Sequence, residues 1–195
     1  MSKDTSFVGD YGTPEQEILS TSSRMAWETC MTMNDTWGFK TSDTNWKSSE
    51  NLIKDLVEIV SKGGNFVLNV GPTAEGLIPP PSAERLKEMG KWMKINGDAI
   101  YGVKQLRNFK EGDNLRFTIS ADRKTIYAFL LNWPGKELNI KQIKPNDGSK
   151  IKMVGLDGYL KWKYDLNTGL TIQLPDQAKL PCKYVWVLKI EGTEI

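Results

Sequence analysis

Two glutamates and a group of aromatic residues near the N-terminus are the side chains best suited to chemistry. Glu15 follows Thr13-Pro14, and Glu28 stands in Trp27-Glu28-Thr29-Cys30, a few residues before Asn34-Asp35-Thr36-Trp37-Gly38-Phe39. Carboxyl groups beside flat rings fit the cleavage of a glycosidic bond. One carboxyl donates a proton to the departing oxygen, and aromatic faces hold the sugar. The chain has no histidine. Ser-His-Asp and Cys-His catalysis are therefore excluded within it, and the usual zinc, iron and copper sites fit poorly. Acid–base chemistry falls to carboxylates, lysine or tyrosine. Asp10 and Glu17 are weaker candidates, read as solvated.

These residues must be positioned by the elements around them. Residues 48–62 carry Leu52, Ile53, Leu56, Val57, Ile59 and Val60 at helical spacing and stop at Gly63-Gly64. The run Asn65-Phe66-Val67-Leu68-Asn69-Val70-Gly71 reads as a short strand covered on both faces. A proline-rich loop over residues 71–81 crosses the surface at that strand's C-terminal end. Ser82 is a candidate N-cap for a second helix marked by Leu86, Met89, Trp92, Met93 and Ile95 and closed by Asn96-Gly97. Two helices around a buried strand fit the last part of a parallel α/β barrel.

After Gly102 the pattern becomes all-β. Residues 115–120, 125–131, 137–143, 150–156, 159–164, 170–174 and 184–190 are short, alternating or β-branched segments separated by turn signals such as Pro134-Gly135, Asp147-Gly148 and Asp157-Gly158. They predict an antiparallel β-sandwich. The expected organisation is thus α/β plus all-β, with residues 1–103 the C-terminal part of a (β/α) barrel and residues 108–195 the sandwich.

Composition narrows the function further. The 195 residues carry 26 basic and 24 acidic side chains, a formal net charge of +2, and the lysines are scattered. No nucleic-acid reading motif is present, so no nucleic-acid partner is expected. No apolar run approaches the ~20 residues of a membrane-spanning helix, and residues 1–6 are polar rather than leader-like. Cys30 and Cys182 form no CxxC and are each expected as a buried free thiol. Gly71-x-x-x-x-Gly76 lacks the lysine and hydroxyl residue of a phosphate loop, because Leu77-Ile78 stand there. Asn34-Asp35-Thr36 is formally a glycosylation triplet. No cofactor or metal is implied.

Six motifs in order resemble the α-L-fucosidases: Gly9-Asp10-Tyr11-Gly12-Thr13-Pro14-Glu15, Trp27-Glu28-Thr29-Cys30, Trp37-Gly38-Phe39, Gly63-Gly64-Asn65-Phe66-Val67-Leu68-Asn69-Val70-Gly71-Pro72, Gly90-Lys91-Trp92 and Asn96-Gly97-Asp98-Ala99-Ile100-Tyr101. The sandwich resembles that family as well, through Ile126-Tyr127-Ala128-Phe129-Leu130 and Leu160-Lys161-Trp162. The resemblance implies a retaining exo-glycosidase that releases terminal L-fucose from a fucosylated oligosaccharide or glycoconjugate. It matches Glu15 to the acid/base, with Glu28 the alternative, and Trp37 to the ring facing the apolar side of fucose. The other readings of these residues are a solvated Glu15, a Glu28 that braces the loop through backbone amides, and a Trp37 packed in the core. Trp46 and Trp92 are assigned to packing.

The family's nucleophile stands in a Trp-x-Asp context on an earlier strand, and its fucose-binding histidines and Asn-Asp-Arg-Trp-Gly segment are upstream too; none occurs here. A complete barrel needs about 250 residues, and only about 100 precede the sandwich. The chain is therefore expected to be a C-terminal part of a fucosidase, inactive alone, whose partner is the missing N-terminal barrel portion. An export signal of a periplasmic, extracellular or lysosomal parent would belong to that portion. The competing reading is a non-catalytic carbohydrate-binding or interaction module that uses Trp133, Trp162 and Trp186 on the sandwich surface.

Overall fold

The structure is a computed structural model that describes residues 9–23 and 25–194. The polar start read over residues 1–6 lies outside the described residues. The chain divides into two compact units, Met1–Met93 and Lys94–Ile195.

The first unit contains β1 (Trp27–Thr32), α1 (Ser49–Ser61), β2 (Gly64–Asn69) and most of α2 (Pro80–Asn96). β1 and β2 pair in parallel, Trp27 opposite Gly64 through Thr32 opposite Asn69. Such pairing requires a crossover, which α1 supplies. Gly12 and Glu15 bridge in parallel to Trp27 and Cys30 on β1. Three pieces of chain thus run side by side in sequence order, as adjacent barrel strands do.

Local chemistry explains each boundary. The Ser48 side chain caps α1 by accepting the Asn51 N–H at 3.0 Å, which satisfies one of the helix's unpaired donors. Leu52, Ile53, Val57 and Ile59 bury its apolar face. Gly63 leaves the helix with a left-handed φ of 82°, the conformation for which glycine is preferred. Gly64 follows because the Trp27 indole lies over it: a Cβ there would stand 2.4 Å from the ring. The same indole donates to the Lys62 carbonyl at 3.2 Å.

Three expectations are corrected in this unit. The residues Trp27–Thr32 form a strand, with Trp27, Thr29 and Met31 buried on one face; the crowding of functional residue types hid the alternation. β2 is not covered on both faces, since Asn65 is exposed and Val67 is 41% exposed. Ser82 is not a cap. α2 begins at Pro80, and the Pro79 carbonyl accepts the N–H groups of Ser82 and Ala83, each at 3.0 Å. Prolines suit this first turn because its N–H groups have no intrahelical acceptor.

The second unit is an antiparallel sandwich. One sheet has the order β3 (Lys104–Glu111), β4 (Leu115–Ile119), β5 (Thr125–Leu130), β10 (Trp186–Glu194), β7 (Lys144–Met153). The other has β6 (Glu137–Ile140), β9 (Gly169–Gln173), β8 (Trp162–Asp165). Phe117, Ile119, Ala128, Leu130, Ile151 and Leu188 from the first sheet share one buried cluster with Ile140, Leu170 and Ile172 from the second. Lys104–Glu111 was not among the expected segments. Only Phe109 of its side chains is buried and its ladder with β4 is interrupted between Gln105 and Lys110, so the alternation that marks a strand is lost.

The three tryptophans proposed for a sugar-binding surface lie elsewhere. Trp186 is buried in the sandwich core, and Trp133 and Trp162 pack against that core. Trp133 meets Trp186 edge to face at 5.3 Å, and the Trp162 indole donates to the Ser149 carbonyl at 3.1 Å.

Candidate active site

In β1, successive side chains face opposite sides of the sheet. Trp27, Thr29 and Met31 are buried on one side; Glu28 and Cys30, two residues apart, look out from the other, where they line a cavity of about 530 Å³. Thr13, Pro14 and Glu15 form its neighbouring wall, and Trp37 belongs to the same lining. The structure therefore brings together Glu15, Glu28 and Trp37. Asp10 and Glu17 are exposed and stand outside this lining.

Glu15 is placed by the chain on both sides of it. Its parallel bridge to Cys30 is secured by the Gln16 N–H, which donates to the Cys30 carbonyl at 2.9 Å. Gln16 turns back at a left-handed φ of 53°. Its side-chain amide then engages Thr32 twice, donating to Oγ1 at 2.8 Å and accepting the Thr32 N–H at 3.2 Å. Thr29 fastens the next residue, its hydroxyl donating to the Glu17 carbonyl at 2.8 Å.

Glu28 is half-buried, and among the described residues its carboxylate accepts no hydrogen bond. The expected bracing through backbone amides is absent there: the backbone N–H of Glu28 itself donates, to the Gly12 carbonyl at 2.9 Å. Cys30 is also corrected. It is a free thiol but half-buried in the cavity wall rather than in a core. Cys182, in the second unit, is likewise free and half-buried; burial pushes its thiol pKa up, against hydrogen bonds from Asn96 and to Tyr184.

Trp37 is 37% exposed and belongs to the cavity lining. Two contacts from the end of β2 hold its backbone. The Asn69 amide donates to the Trp37 carbonyl at 2.7 Å, and Gly71 lies so close that a Cβ would stand 2.7 Å from the Phe39 nitrogen and 3.0 Å from the Trp37 oxygen. The preceding turn is gathered by Asp43. Its carboxylate accepts the Asp35 N–H at 3.0 Å, the Thr36 hydroxyl at 2.9 Å and the Asn45 N–H at 3.2 Å. Loss of hydration pushes the Asp43 carboxyl up, but these bonds outweigh it and hold its pKa below the ordinary value. Asn45 closes the ring by donating to Asp35 at 2.9 Å. Trp46 packs under Arg85, whose guanidinium carbon is 5.4 Å from the ring centroid, and Trp92 is buried.

Sequence reasoning missed Cys30, Gln16, Asn69 and Gly71 as parts of this site. Asn69 and Gly71 end a strand, the usual place for residues that hold a loop. Gln16 and Cys30 act across a strand pair that was not foreseen.

Comparison with known proteins decides the family. The model described as "Alpha-L-fucosidase" matches residues 1–98, and that described as "Alpha-L-fucosidase C-terminal domain" matches residues 108–191. The chain belongs to the α-L-fucosidase family. Mouse tissue α-L-fucosidase is 40% identical over 171 residues, 84% of this chain and 38% of the mouse protein. The human tissue enzyme is 37% identical over 176 residues, 86% of this chain and 37% of the human one. The chain thus spans well under half the length of these curated relatives. Among solved structures, α-L-fucosidase isoenzyme 1 from Paenibacillus thiaminolyticus superposes with a TM-score of 0.82 at 28% identity, covering 96% of this chain and 46% of that one. The Thermotoga maritima α-fucosidase solved with a mechanism-based inhibitor gives 0.82 at 27% identity, covering 96% and 44%. The fold is accordingly a fucosidase barrel end followed by the C-terminal β-sandwich, and the cavity beside Glu15 belongs to the barrel end.

Proposed function

We propose that this chain supplies part of the active site of a retaining α-L-fucosidase that removes terminal L-fucose from fucosylated glycans. Glu15 is the acid/base: it protonates the departing glycosidic oxygen and then takes a proton from the water that releases fucose. The observation that carries the reading is that Glu15, Glu28 and Trp37, drawn from three separate stretches of chain, line one open cavity.

The physical fit is specific to a deoxy sugar. L-Fucose has a methyl where most hexoses carry a hydroxyl, and an indole face covers that methyl without leaving a polar group unpaired. Trp37, held by Asn69 and Gly71, supplies that face. Glu28 shares the cavity wall as the alternative carboxylate. The attacking aspartate belongs to the N-terminal barrel portion, which is this chain's partner in the complete enzyme.

Turnover of an aryl α-L-fucoside tests the reading. The 195-residue chain alone is expected to show none. Joined to the N-terminal barrel portion of an α-L-fucosidase, it is expected to hydrolyse the substrate, with loss on Glu15→Gln. Hydrolysis by the isolated chain that Glu15→Gln abolishes would overturn the partial-enzyme reading.

A further inference from the structure

The sandwich unit contains a second cavity, of about 270 Å³, with a different chemistry. Its apolar side is Leu106, Ile126 and Ile143. Its polar lining is Arg107, Asn108, Arg123 and Gln142. Three separate connections bring these together. Arg107 and Asn108 come from the interrupted part of β3, where pairing with β4 lapses between Gln105 and Lys110. Arg123 stands in the β4–β5 turn, and Gln142 in the connection from β6 to β7.

Arg123 adopts a left-handed backbone, φ 60°, which residues with a Cβ disfavour. The turn is held there by Asp122, which accepts from the Ser120 hydroxyl at 2.6 Å and the Lys124 N–H at 3.1 Å. The carboxylates on the adjoining segments keep their charge and are fixed in position by neutral donors, Asp122 in that turn and Glu111 by the N–H groups of Lys141 at 2.9 Å and Gln142 at 3.1 Å. Among the described residues neither Arg107 nor Arg123 takes part in an ion pair. Two arginines, an asparagine, a glutamine and three apolar residues thus line one concavity. Guanidinium pairs select planar or tetrahedral oxyanions, which they bind through paired hydrogen bonds.

We propose that this cavity binds the oxyanion of an acidic sugar, a carboxylate or a sulfate ester, through Arg107 and Arg123, with the sugar's apolar face on the half-buried Leu106. Such a site would let the sandwich engage an acidic residue of a glycan independently of the fucose pocket. The choice of a sugar over other organic anions rests on the fucosidase reading; the oxyanion follows from the side chains.

Titration of the 195-residue chain with glucuronic acid, N-acetylneuraminic acid, galactose 6-sulfate, galactose and inorganic sulfate tests this. Calorimetry gives the affinity and arginine Nε–H resonances give the place. At least one acidic sugar should bind saturably and shift Arg107 and Arg123, with the carboxylate and sulfate arms showing which oxyanion is preferred. Arg107→Gln and Arg123→Gly should each weaken it at least about tenfold. Glycine accepts the left-handed turn, so Arg123→Gly removes the charge without straining the backbone. Galactose binding as tightly as the acidic sugars, no acidic sugar binding, or indifference to both variants would overturn the proposal. Inorganic sulfate binding as tightly as the sugars would overturn its saccharide part. None of these readouts involves turnover, so they stand apart from the fucosidase assay.

Discussion

Glu15 and Glu28 share one cavity but differ in setting: Glu15 is exposed on the rim and Glu28 is half-buried on β1. A proton donor must reach the leaving group, which the rim position permits. In the completed enzyme, Glu15→Gln should lower kcat about 10²- to 10⁴-fold on a natural glycan, whose leaving group needs protonation. An aryl fucoside with a good leaving group should be formed into the covalent intermediate nearly as before, so the loss moves to the second step. Steady-state and burst kinetics check this. At Trp37, Gly71→Ala should raise KM several-fold by pushing residues 37–39 off their seat, measured on the same substrates. That Glu15 belongs to the cavity lining was legible because Thr-Pro-Glu stands in a contiguous motif. The clamp that aims it was not, because Gln16 and Thr32 are distant in sequence and meet only across the strand pair.

At the level of elements, the contact between Gly64 and Trp27 sets the register of β1 on β2. Gly64→Ala forces a methyl into the indole and should destabilise the unit by about 1–3 kcal/mol, seen as a lower denaturation midpoint with little change at the sandwich. The turn before Trp37 carries a pH signature. Asp43 has a folded pKa below the ordinary carboxyl value of 3.8, so its contribution is present above 3.8 and is lost as pH falls through the folded value. The Trp37 indole resonance should hold constant through neutral and mildly acidic pH and broaden only below that range, whereas Asp43→Asn should broaden it at neutral pH. Helix α1 was legible because Ser48, Gly63 and the spacing of Leu52, Ile53, Val57 and Ile59 are all local signals. β1 and β3 were not. One is crowded with residues that suggest chemistry, and the other has a single buried side chain and an interrupted ladder.

Across the whole molecule, the two units differ in how much they bury. The sandwich unites side chains from both sheets in one core, whereas the parallel sheet of the first unit has two full strands and leaves Val67 41% exposed. Hydrogen exchange of the isolated chain should therefore show strong protection in β4, β5 and β10 and weak protection in β1 and β2; uniform protection as one cooperative unit would contradict this. Azide rescue tests the central assignment most directly, using the chain completed with an N-terminal barrel portion. With Glu15→Ala and an activated aryl α-L-fucoside, the intermediate should stall for want of a general base, and azide, which needs none, should restore turnover and yield α-L-fucosyl azide. Rescue of Glu28→Ala in place of Glu15→Ala, or of neither variant, would contradict the assignment of Glu15 as the acid/base.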